Sequence, residues 1–426
     1  MFTKQVLSNN VSVVLAPLTE TKTVTVLVLF GVGSRYEKKS INGISHFIEH
    51  MMFKGTAKRP TSLSISKELD AVGAEYNAYT TKDTTGYWVK LVYDKLDLAL
   101  DLVSDMLYNS KFDAAEIERE KKVICEELHM YRDNPLMYVD TLLEKIMFEP
   151  SSLGWDIGGE DETVLSLSRD AMVQFRNAHY HGKNLVVGIA GNFDADEGFR
   201  KVQQYFGASW EKGTQANRYQ KFQHRSKKKP TVLVHYKDTE QIQCAFGFHG
   251  YSHAHPDVYA AALLSIILGG GMSSRLFIAV RERKGLCYSI RASHQSFQDT
   301  GVFSVQAGLD KSRIQLALKV ILRELGRAAK NGVSAAELKR AKDFIKGKMA
   351  LQFEDSENVV SWYVGQEVLT GKMLTPEQKL ARFQAVSLSD IARVARELFS
   401  TNRIHLAIIG PYKDGKEFEK QLVIPA

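Results

Sequence analysis

A long internal repeat constrains the fold of this chain more than any other feature. The apolar pattern of Thr23–Phe30 returns at Gln241–Phe248, that of Gly86–Val92 at Gly301–Ala307, and that of Leu185–Gly191 at Ile404–Gly410. Ala114–Arg119 (AAEIER) returns as Ala335–Arg340 (AAELKR). The offset stays between roughly 215 and 221 residues. A solenoid repeats every ~20–50 residues, so this period marks a duplicated domain. Runs of β-branched and apolar residues read as strands, and stripes such as Leu96, Leu100, Val103 and Leu107 read as helices. The expected fold is α+β: two homologous domains, each a mostly antiparallel sheet packed with helices. From Gly207 to Pro230 the chain turns polar and irregular. The expected division is therefore 1–206, a linker at 207–230, and 231–426.

One stretch of the first copy, Ser45-His46-Phe47-Ile48-Glu49-His50-Met51, reads H-x-x-E-H. This is the inverse of the H-E-x-x-H zinc motif. Positions i and i+4 share a helix face, so His46 and His50 can reach one cation together. Glu49 projects from the same side without being forced into the coordination shell, and is placed to act as a base on metal-bound water. Asn42 or Ser45 is the expected cap at the helix start. A catalytic metal site has three protein ligands and keeps a fourth place for water. A Glu-rich helix opening near Asp113 can supply the third ligand. Its apolar positions are Ile117, Val123, Ile124 and Leu128, and Glu120 and Glu127 lie seven apart on one face.

The repeat serves as a control. Residues needed only for folding should appear in both copies. The helix Tyr259–Leu268 stands where the motif helix stands, and it has neither His nor Glu. At the offset of 221 set by AAEIER, Glu120 falls on Ala341 and Glu127 on Lys348. The polar set is confined to one copy, which points to chemistry and away from folding.

Composition narrows the alternatives. With 44% hydrophobic and 25% charged residues the chain reads as an ordinary soluble globular protein. No apolar run approaches the ~20 residues that span a bilayer, so no membrane role is expected. Met1–Pro17 reads as a first strand and not as a signal peptide. Cys125, Cys244 and Cys287 are an odd, widely spaced set, as expected of a cytoplasmic protein. The net charge of +7 has one cluster, Arg225–Pro230, in the expected linker. It reads as a solvated loop, and no nucleic-acid partner is expected.

The stretches His46–Thr56 (HFIEHMMFKGT), Asn77–Thr80 (NAYT) and Glu118–Glu127 (EREKKVICEE) resemble the M16 metallopeptidases. They are closest to the short-chain group that includes mitochondrial processing peptidase β-subunits and their bacterial relatives. The resemblance spans nearly the whole chain. It implies a LuxS/MPP-like fold, one zinc ion per chain, and hydrolysis of a peptide substrate. It places the third metal ligand at Glu127 and makes Glu120 a supporting carboxylate. Glu126 would face ~100° away. Glu49 would take the water proton and pass it to the leaving amine. The strand Ala74–Thr80 resembles the edge strand that takes substrate by strand addition, with Asn77 and Ala78 as substrate contacts.

In the second copy, Gly269–Leu276 followed by Arg281–Tyr288 resembles the family's substrate-binding segment. There an Arg and a Tyr seven apart bind the substrate carbonyl and stabilise the oxyanion. The glycine run also reads as a helix-ending turn. The largest members of the family carry four such domains, so two imply a dimer. A homodimer is expected because one chain carries both the metal motif and Arg281 with Tyr288, which would be presented to the partner's zinc. The alternative is a non-catalytic or heterodimeric subunit of a processing-peptidase-like complex. The intact metal set argues against it.

Overall fold

The structure is a computed structural model that describes residues 2–208, 219–224 and 229–425. Most of the expected linker at 207–230, and Arg225–Lys228 of its basic run, lie outside the described residues. The chain folds as two compact units, and neither is one continuous stretch.

The first unit is built on six strands: β1 (Thr3–Val6), β2 (Ser12–Pro17), β3 (Thr23–Phe30), β4 (Glu75–Thr80), β5 (Thr85–Val92) and β6 (Leu185–Gly191). They lie in the order β1-β2-β6-β3-β5-β4. Only β2 and β6 run parallel, and the other pairs are antiparallel. The second unit has β7 (Thr231–Tyr236), β8 (Gln241–Gly250), β9 (Cys287–Ser296), β10 (Gly301–Asp310) and β11 (His405–Gly410). Its order, β7-β11-β8-β10-β9, is that of the first sheet without β1. Again only one pair, β7 with β11, is parallel. The duplication is thus visible strand by strand.

The helices of the first copy that matter here are α1 (Ile44–Met52), α2 (Ser62–Asp70), α3 (Leu96–Asn109), α4 (Ala114–Asp133) and α5 (Pro135–Phe148). The first three, with the start of α4, pack one face of the first sheet into a core that includes Val26, Val28, Phe47, Leu100 and Ile124. The other face of that sheet is equally apolar. Val14, Leu27, Leu29, Val186 and Ala190 are all buried there. Strands buried on both faces read as continuous apolar runs, and they need a cover on each side.

That second cover comes from the far half of the sequence. The helix Ser356–Thr370 lays Val359, Val360, Tyr363 and Val364 on the first sheet. Gly188 of β6 allows it: a Cβ there would sit 2.2 Å from Val364 Cγ2. Buried Thr25, the polar residue in the β3 run, hydrogen-bonds the Ser356 hydroxyl at 2.8 Å. In exchange, α5 covers the second sheet with Val139, Leu142, Leu143 and Met147, packed against Ala245, Ala407 and Ile409.

The first unit therefore comprises Met1–Leu128, Trp155–Gln220 and Met349–Leu374, and the second His129–Gly154, Lys221–Lys348 and Thr375–Ala426. The exchanged segments correspond residue for residue at one offset, 129 to 349 and 154 to 374. The units thus cross the expected division at 206 and 231. The reason is that each sheet has two apolar faces, and one half of the sequence covers only one of them.

Candidate metal centre

The H-x-x-E-H stretch lies on α1 because its apolar residues recur at helical spacing. Ile44, Phe47, Ile48, Met51 and Met52 are all fully buried. Anchoring that stripe turns the remaining one, His46, Glu49 and His50, towards α4 and β4. The start of α1 is not capped by Asn42 or Ser45. Gly43 holds a left-handed φ of 96°, and a Cβ there would come 2.4 Å from the Gly158 carbonyl oxygen.

The cap is Glu37, from outside the helix. Its Oε2 accepts from the Gly43 N–H at 2.8 Å and from Asn42 Nδ2 at 2.9 Å, and its Oε1 accepts from the Ser45 N–H at 2.9 Å. Burial pushes Glu37 up from 4.5 to about 7, against these donors, which favour the anion. The folded chain therefore holds this proton more tightly than the unfolded chain. The stabilisation is complete below pH 4.5 and is lost as pH rises through about 7. At ~1.36 kcal/mol per pH unit the loss is about 3 kcal/mol. In urea unfolding, the wild type should lose stability across that window relative to Glu37→Gln, which has no such proton. A pH-independent difference would contradict this.

On α4, Ile117, Glu120, Ile124 and Leu128 are the buried positions. Val123, expected in the core, is 46% exposed. Glu120 thus occupies an apolar stripe and is only 2% exposed. About two turns along the same side, Glu127 meets both imidazoles. The His46 and His50 Nε2 atoms are 3.2 Å apart, and Glu127 Oε2 lies 3.7 Å from the first and 3.3 Å from the second. Among the described residues this is the one group of three or more His, Cys, Asp or Glu ligand atoms that all lie within 4.8 Å of one another. Glu126, one position away, is exposed.

Second contacts fix the pieces. The Nδ1–H of His50 points to Glu120 Oε1 at 2.8 Å, which leaves Nε2 for the triangle. Lys54 Nζ holds the other Glu120 oxygen at 2.6 Å. Thr80, the last residue of β4, donates from Oγ1 to Glu49 Oε2 at 2.5 Å.

The electrostatics follow from these contacts. Burial, reinforced by the neighbouring His50, pushes His46 down to about 4, so its ring is neutral and carries a lone pair. Burial also pulls His50 down, but hydrogen bonds to Glu120 and Glu127 outweigh it and raise this ring to about 9. The His50 hydrogen bond holds Glu127 below the usual carboxylate range, against burial. Burial raises Glu120, but His50 and Lys54 more than reverse it. Glu49 is the exception: burial lifts it above the usual range, and the Thr80 hydrogen bond only partly offsets this.

These residues fit a zinc ion. With bonds of 2.0–2.2 Å, neighbouring ligand atoms of a tetrahedral site lie about 3.3–3.6 Å apart. The three separations bracket that range before any ion draws the side chains in. Two imidazole nitrogens and one carboxylate oxygen are a donor set that zinc accepts, and a three-ligand set leaves one position open.

The remaining expected residues fall in two places. Asn77 and Ala78 are on β4, the outer strand of its sheet, where Asn77 pairs with Trp88 and Ala78 with Tyr87 of β5. Arg281 and Tyr288 belong to the second unit. There the Arg281 guanidinium carbon is 5.4 Å from the Tyr288 ring centre, and Tyr288 is 72% exposed. The glycine run does end a helix, Val258–Gly269. Glu37, Lys54 and Thr80 were not expected in the site. No spacing rule connects them to the motif.

Comparison with known proteins bears on this arrangement. Residues 12–160 match a family model described as "Insulinase (Peptidase family M16)", and residues 166–344 match "Peptidase M16 inactive domain". A Bacillus subtilis protein named "Uncharacterized zinc protease YmxG" is 35% identical over 96% of this chain and 98% of its own length. This chain belongs to peptidase family M16. The family's fold is seen again in a structure described as that of a protease from Helicobacter pylori, with a TM-score of 0.90 at 23% identity over 96% of this chain and 99% of the other. A chain of "Complex III2 from Candida albicans, Inz-5 bound" has the same fold, with a TM-score of 0.84 at 20% identity over 99% of both chains. The M16 model that matches residues 166–344 is named for an inactive domain. The ligand triangle lies wholly in the first unit.

Proposed function

We propose that this M16 family chain is a zinc-dependent endopeptidase, with one zinc ion per chain held by His46, His50 and Glu127. The observation that carries this reading is the triangle of three ligand atoms with Glu49 on the same stripe of α1. Zinc in such a site lowers the pKa of a coordinated water to about 7 and polarises a carbonyl. Glu49, with Oε2 engaged by Thr80, accepts the proton of the attacking water on its other oxygen. It then passes that proton to the leaving amine. Its raised proton affinity suits a group that must take up a proton and release it within one turnover.

Glu120 is a positioning residue: it holds the His50 tautomer from behind and does not face the triangle. Among the described residues no strand pairs with the outer edge of β4, so a peptide can add there as a strand, with Asn77 and Ala78 as contacts. Strand addition reads main chain more than side chains, so unfolded segments and peptides are the substrate class. Arg281 and Tyr288 are proposed to bind the substrate carbonyl and the oxyanion. The chain is proposed to act as a homodimer. Sedimentation at the mass of two 47.9 kDa chains tests this, and a monomer would refute it.

The function is tested by metal removal. The protein as purified should cleave an unstructured peptide library, lose that activity on chelation, and regain it with stoichiometric zinc. Cleavage that persists in metal-free protein would sink the metal mechanism. No cleavage by the zinc-loaded protein would favour a non-catalytic subunit.

A further inference from the structure

The structure assigns Thr80 as the residue that positions Glu49, and it does so from the strand proposed to receive the substrate. This rests on the endopeptidase reading and adds a part to it. Among the described residues, the Thr80 hydroxyl makes the one hydrogen bond to the Glu49 carboxylate. Glu49 has three rotatable side-chain bonds and, among the described residues, no ion-pair partner. Left alone, such a side chain spreads over several rotamers.

Thr80 is a stiff donor. Its side chain is β-branched, which restricts χ1. Its backbone is fixed opposite Thr85 in the ladder between β4 and β5. Because the hydroxyl engages Oε2, the other oxygen is left for proton transfer, which needs a heavy-atom approach of ~2.6–3.2 Å. Ala78 and Asn77 lie two and three residues back on the same strand. A peptide that pairs with the outer edge of β4 therefore rests on the element that orients the base. Binding and base placement share one strand.

The test compares Thr80→Val, which removes the donor at nearly constant shape, with Thr80→Ser, which keeps it. A hydrogen bond to a charged group corresponds to about a tenfold to hundredfold effect. Thr80→Val should lower kcat by that factor with KM nearly unchanged, and Thr80→Ser should recover most of it. In a Glu49→Gln background, Thr80→Val should cost nothing further. Zinc content should match the wild type. Binding of a labelled peptide to the metal-free protein, read by fluorescence anisotropy, should also be unchanged. The inference is overturned if Thr80→Val keeps kcat within about twofold. It is equally overturned if Ser and Val are alike in damage and both lose peptide binding, since that marks a disrupted strand. A wild-type protein that cleaves nothing would instead remove the endopeptidase reading itself.

Discussion

Glu49→Gln is expected to keep its zinc and to lose turnover by about a hundredfold to ten-thousandfold, the range for a positioned general base. The amide is isosteric with the carboxylate and can still accept from Thr80, so α1 should fold unchanged. It cannot accept the proton of the attacking water. Glu49 is not among the three ligand atoms, which is why metal content should not follow activity. Metal analysis beside steady-state kinetics on one peptide checks both halves. Near-wild-type turnover would remove Glu49 as the base. Loss of zinc together with activity would make it a ligand or a folding residue instead.

The second large effect is expected at Glu127. Glu127→Ala removes one of the three proposed ligands and should weaken zinc by more than about 100-fold, the upper range seen for outer partners of ligands. It should abolish cleavage with it. Glu126→Ala is the control, because Glu126 is exposed one position along α4 and is not in the triangle. Chelator competition gives both affinities. The opposite pattern, with Glu126→Ala losing the metal, would move the third ligand by one residue and contradict the geometry.

Much of this was legible in the sequence. β3 and β5 occupy the expected residues, and the long offset correctly implied two sheets of one topology. His46, His50 and Glu127, the set the family resemblance names, have side-chain atoms within 4.8 Å of one another, and the H-x-x-E-H motif sits on a helix. These features were readable because helix period and repeat are local or self-referencing signals. The exchange of covering helices was not read. β3 is apolar at almost every position, which signals burial on both faces. Yet nothing local says which distant helix supplies the cover. α5 carries its own start signal, Asn134 as cap with Pro135 following. Its destination on the second sheet is a tertiary fact.

The site shows the same limit. His46, Glu49 and His50 announce themselves by spacing within one helix. Glu37 caps that helix across a loop, Lys54 reaches Glu120 from the turn after it, and Thr80 reaches Glu49 from a strand. Each of these contacts exists only once the chain has folded. Val123 errs the other way: it is apolar but 46% exposed, because it lies one residue, about 100° round α4, from buried Ile124.

The central claim is tested most directly by a crystal structure of the zinc-loaded protein with anomalous data at the zinc edge. One strong peak per chain is predicted in the first unit, at about 2.0–2.2 Å from His46 Nε2, His50 Nε2 and a Glu127 carboxylate oxygen. Glu49 should stand outside bonding distance. A peak held by any other residue set, or none at this triangle in zinc-saturated crystals, would contradict the account.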